Sequence, residues 1–105
     1  MIVSSTPSIE GKQIQTYLGI VKGSTVRARH LGTDILATLK IIVGGELKSY
    51  SILLTQARKE AMDRMITSAE DMGADAVVNF RYETSTIAAA ASEVIAYGTA
   101  IKFEE

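Results

Sequence analysis

Few residues of this chain are of the types that do chemistry, and their spacing narrows the choice. There is one histidine, His30, and no cysteine. A soft-metal site needs thiolate, imidazole or thioether donors that converge. One imidazole per chain does not build such a site, and at the end of a strand pattern His30 reads as a surface or packing residue. Glu70, Asp71 and Asp75 crowd the end of a long apolar-periodic run. Carboxylates at a helix C-terminus oppose its dipole, at a cost of some tenths of a kcal/mol up to ~1 each. A local rule broken in this way marks a candidate hard-cation site. The plainer reading is a solvated helix end. Glu70 and Asp71 are adjacent and point to different faces, and Asp75 can cap backbone amides as a strand begins. Met62, Met65 and Met72 sit at helical spacing, where methionine fills cores more often than it binds metal. No paired-carboxylate motif, Ser-His-Asp set or nucleophile elbow is present.

Gly44-Gly45 raises the question of a phosphate cradle. Such a cradle places its glycines between a strand and a helix start. Here they follow Ile35, Leu36, Leu39, Ile42 and Val43, a stripe at helical spacing begun by Thr33 or Asp34 as N-cap. They therefore read as a helix stop, where glycine takes a left-handed conformation without Cβ penalty.

The elements that would carry these residues follow from the periods. Residues 1–11 read as irregular. Residues 13–21 alternate as a strand, with Ile14, Leu18 and Ile20 on its buried face. "KGS" at 22–24 reads as a turn, and 25–30 as the second strand of a hairpin. The 33–43 helix comes next, then a longer one from about Glu46 to Met72 that stops at Gly73. Residues 74–85 form a strand, with Ala76, Val78, Phe80 and Tyr82 opposite Val77, Asn79, Arg81 and Glu83. Small residues at 86–92 link it to a last strand, Glu93 to Phe103. Both faces of that strand are apolar or small, which suggests a central position, or a strand covered on its second face by another subunit. Gly98 within it implies a bulge or a close backbone approach. The reading is an α+β domain, β-β-α-α-β-β, with an antiparallel-rich sheet and two helices on one face. Tyr17, Val77, Val94 and Ala96 are the expected apolar residues of the uncovered face. Such a patch marks a partner surface, and a second copy of the chain is the simplest partner.

Composition bounds the rest. The chain has 105 residues, the size of one domain, 1–105. A chain of this length buries roughly two thirds of its extended surface. Eleven basic and twelve acidic residues leave a net charge of −1, with no basic block to bind nucleic acid. No stretch approaches the ~20 apolar residues of a membrane span. The first residues lack the basic start and apolar core of a signal peptide. With no cysteine in the chain, the expectation is a cytoplasmic protein.

"STPSIEGK", "YLGIVKG", "IVGGELKSY", "ARKEAMDRM", "MGADAVVNFRYE" and "YGTAIKF" occur in the order found in the YbjQ-like family of small bacterial proteins, which this chain resembles from about Ser5 to Phe103. The 73–78 segment is the most specific part. The resemblance implies a ring-forming subunit, a homopentamer, carrying the label "putative heavy-metal-binding" and no established activity. It implies that a lone His30 per subunit could converge with its copies on a symmetry axis, making a divalent metal ion the possible cofactor. It also implies that the polar residues at matching positions, Tyr50, Arg58, Tyr82 and Glu83, could line an intersubunit cleft. The chain departs from the family pattern at Glu46, where Arg is common, and at Asn79, where Gly is common. The leading expectation is a homo-oligomeric binding or scaffold protein. The alternatives are a metal-binding protein with its site at a subunit junction and, more weakly, a small-molecule enzyme with an intersubunit cleft.

Overall fold

A computed structural model describes residues 1–28, 47–88 and 91–105. Within them the elements are β1 (Ile2–Val3), β2 (Ile14–Ala28), α1 (Leu47–Asp71), β3 (Ala76–Ala88) and β4 (Ala91–Phe103). The expected 33–43 helix, Gly44-Gly45 and His30 lie outside the described residues. The protein is α+β, with one mixed four-stranded sheet ordered β1-β3-β4-β2. β4 pairs antiparallel with both β2 and β3, and β1 pairs parallel with the start of β3. β4 is thus the central strand, as its two apolar faces suggested.

The expected hairpin at 13–30 is a single strand of 15 residues. Lys22, Gly23 and Ser24 pair in unbroken register with Tyr97, Ala96 and Ile95. Gly23 is not a turn residue. A Cβ built there would lie 2.2 Å from the Ala61 carbonyl oxygen and 2.3 Å from the Met65 amide nitrogen. Glycine is required because the helix backbone rests directly on the strand.

α1 runs to Asp71, within a residue of its expected end. Its stop is a Schellman motif: the Ala74 amide donates to the Ala69 carbonyl (3.0 Å) and the Gly73 amide to the Glu70 carbonyl (2.9 Å), with Gly73 at φ 78°. Ala57, Ala61, Met65 and Ala69, four residues apart, are fully buried on one stripe. They pack on Val21, Val77, Phe80, Val94, Ala96 and Ala100. Three alanines on the helix and two on β4 let the two layers approach closely.

The register of the sheet shifts by one residue at four places, and two of these shifts reset the faces expected from sequence. Asn79 has φ 54°, and the β3–β4 register shifts between Val78 and Arg81. This bulge puts Val77 and Phe80 together in the core under the helix, whereas Ala76 and Val78 join Ile101 in a second cluster. Gly19, at φ 130°, marks the other shift, between Tyr17 and Gly19. Past it Val21 is buried and Ile20 is 80% exposed, so Ile20 is not on the buried face. Val77, Val94 and Ala96, expected on the open face, lie beneath the helix instead. The face away from α1, which no described helix covers, carries Tyr17, Ile20 and Val26, all more than half exposed. One end of that face is closed by Ile9, Ile14 and Phe103 packing on the second cluster.

The radius of gyration is 17.3 Å and the extents are 56 × 21 × 16 Å. A compact chain of this length has a radius near 13 Å. β2, with 15 residues at about 3.4 Å each, spans about 50 Å, close to the longest extent.

Candidate functional site

The expected cleft residues divide between the two sides of the sheet. Tyr82 follows Phe80 on the helix side of β3, and their rings meet edge to face at 4.7 Å between centroids. The Tyr82 hydroxyl donates to the Arg58 carbonyl at 3.4 Å. The Arg58 guanidinium donates to Thr55 Oγ1 at 3.3 Å. Burial pushes the Tyr82 phenol above its ordinary pKa of 10.0; the nearby Arg58 charge lowers it and Asp63 raises it. Tyr82 is still 39% exposed, so this corner offers a partly sheltered phenol beside a guanidinium. That pair can hydrogen-bond a small polar or anionic group. Glu83 does not join it: it pairs across from Ile95, and so faces the open side. The Tyr50 side chain lies outside the described residues.

The three acids near the end of α1 do not converge on a site. Glu70, Asp71 and Asp75 are all exposed. Asp75 Oδ2 accepts the Phe103 amide at 2.9 Å while the Asp75 amide donates to the Ile101 carbonyl at 2.8 Å. It fastens the end of β4 to the start of β3, so the amide it accepts lies across the sheet at Phe103 rather than at the beginning of its own strand. Among the described residues no three His, Cys, Asp or Glu side chains come close enough to hold a metal ion.

A shallow open groove lies along the loop after β1, lined by Ile2, Pro7 and Ile9 and by the hydroxyl residues Ser4, Thr6 and Ser8. Ser4 and Thr6 hydrogen-bond each other through their hydroxyls, and Thr6 donates to the Ser8 carbonyl. Sequence reasoning passed over this loop; its only signal is the density of hydroxyls around Thr6-Pro7. Among the described residues no helix is long and apolar enough to cross a membrane.

Fold and sites together define a small α+β domain whose four-stranded sheet carries a long helix on one face and a partly sheltered Tyr82 beside Arg58. The model of the family described as "Putative heavy-metal-binding" matches residues 1–104, and the chain belongs to that family. A protein of Methanosarcina acetivorans named UPF0145 protein is 53% identical over 102 residues, 97% of this chain and 96% of its own. A UPF0145 protein of Thermotoga maritima is 48% identical over 105 residues, covering 100% of this chain and 99% of its own. Another, from Halorubrum lacusprofundi, is 52% identical over 102 residues, 97% of this chain and 98% of its own. Methanosarcina and Halorubrum are archaea, so the family is not confined to bacteria as expected. In fold, the chain is similar to a Pediococcus pentosaceus protein described as of unknown function and of the DUF74 family. The TM-score is 0.70 at 16% identity, over 99% of this chain and 98% of that one.

Proposed function

We propose that the chain acts as a subunit of a homo-oligomer, a pentamer by family resemblance, with a binding or scaffold role and no chemistry of its own. The observation that supports this is the uncovered sheet face. Ile20 is 80% exposed, Tyr17 65% and Val26 51%. Large apolar side chains grouped on one face gain about 25 cal/mol for each Å² removed from water, and a copy of the same chain is the partner always present. The elongated shape adds to the argument, because a thin slab leaves more of its core layers near solvent than a compact unit does.

Native mass spectrometry tests the reading. A single multimeric species at micromolar concentration is expected, and a monomer overturns it. A second reading places a metal at a subunit junction. It draws on the family's description and on the way symmetry gathers ligands that are single in each chain, such as His30. The same spectrum weighs it: stoichiometric metal, lost in His30→Ala, favours it over the first.

A further inference from the structure

Resting on the binding half of the role proposed above, we infer that the corner between α1 and the second half of β3 holds a small phosphate monoester. Arg58 and Tyr82 are its donors to the phosphate group.

The fold leaves this corner open. α1 lies over β2 and β4 and barely reaches β3. Tyr82 and Thr84 pair with Ala96 and Val94, both beneath the helix, so they stand on the helix side of β3. Thr86, two residues on, continues the row. All three are exposed. The flank of α1 that carries Thr55 and Arg58 therefore meets a row of hydroxyls, and the Tyr82 bond to the Arg58 carbonyl marks where the two join.

Charge gives the corner its sign. Lys59 and Asp63 neutralise each other at 3.1 Å. Arg58 is half-buried, and among the described residues no carboxylate lies within ion-pair distance of it. Its guanidinium donates to Thr55 Oγ1 at 3.3 Å, which leaves most of its N–H groups uncommitted. A cation drawn partly out of water without a counter-charge is costly, and a bound anion relieves that cost. The planar guanidinium fork matches two oxygens of a phosphate. Burial holds the Tyr82 phenol above its ordinary pKa, so it stays protonated and serves as a second donor. Its present bond, at 3.4 Å, is long for an O–H donor, and its hydroxyl turns to a phosphate oxygen at small cost. Thr84 and Thr86 extend the site with groups that both donate and accept, which suits a hydroxylated body on the ester. A sugar phosphate has that chemistry.

Isothermal titration of the intact protein with ribose 5-phosphate, inorganic phosphate and ribose tests the site. Ribose 5-phosphate is expected to bind in equal ratio to the chain, inorganic phosphate several-fold more weakly, and ribose not at all. Arg58→Gln is expected to weaken binding by about tenfold or more, and Tyr82→Phe several-fold. Asp63→Asn is expected to tighten it, because that carboxylate acts on the same phenol; a damaged fold does not produce a gain. Arg64→Gln, on the same helix but bonded to the Ser24 carbonyl, is expected to leave binding unchanged. No binding by the unaltered protein, binding of ribose, or full binding in Arg58→Gln overturns the site. Equal affinity for inorganic phosphate overturns the ester. Native mass spectrometry of the same sample keeps the two readings apart. A multimer that binds none of the probes loses the site and keeps the assembly, whereas a monomer that binds ribose 5-phosphate keeps the site and loses the assembly.

Discussion

Asn79 occupies the left-handed region at φ 54°, where a Cβ is costly and only Gly or Asn sits comfortably. Its place suits asparagine and would suit glycine at least as well. Asn79→Ala is expected to destabilise the protein by about 1 kcal/mol, while Asn79→Gly holds or raises stability; denaturant midpoints measure both. Tyr82 supplies a pH prediction. Its folded pKa is raised above 10.0 by burial, so the folded state holds the phenolic proton more tightly. That contribution is complete below the ordinary value and is lost as pH climbs through the raised one. Unfolding free energy is expected to fall above about pH 10, with a shallower slope in Tyr82→Phe, measured as midpoints from pH 8 to 11. The site was only partly legible at this level. Arg58 and Tyr82 meet although 24 positions separate them, and nothing in either local pattern says so. Glu83 is the very next residue and faces the other way because strands alternate.

Gly23 governs how α1 lies on the sheet. The Cβ of Gly23→Ala would meet helix backbone atoms at 2.2 and 2.3 Å, and backbone cannot swing aside as a side-chain tip can. The expected loss is about 2–3 kcal/mol. Ser24→Ala, one residue on and facing away, is expected to cost under about 0.5 kcal/mol. Equilibrium unfolding of the two variants compares them. The reading of Lys22-Gly23-Ser24 as a turn failed because glycine marks both turns and close approaches. Only the element packed across it distinguishes the two. Gly98 makes the same point from β4, where a Cβ would come within 2.6 Å of Val77 Cγ1.

As a molecule the chain is a slab 56 Å long and 16 Å thin, with a helix described on one side and Tyr17, Ile20 and Val26 open on the other. The proposed assembly draws on that shape, and native mass measurement tests it at this level: a single multimeric species is expected at micromolar concentration. The family relatives, at 48–53% identity over nearly full length, make the same tests possible on several chains.

Composition and periodicity alone were enough for the α+β class, the long helix with its stop at Gly73 and the existence of the last two strands, although β3 and β4 extend to Ala88 and from Ala91 into the 86–92 stretch that reads as a linker. Those features are local: a repeat of 3.6 or 2.0 is written in neighbouring side chains. Which face each strand turns to the helix was not. A single extra residue at Asn79 or beside Gly19 inverts every assignment beyond it, and whether a bulge forms depends on the partner strand's register. The contact of Tyr82 with Arg58 and the seat of α1 on Gly23 likewise arise between segments far apart in the chain, where only packing brings them together.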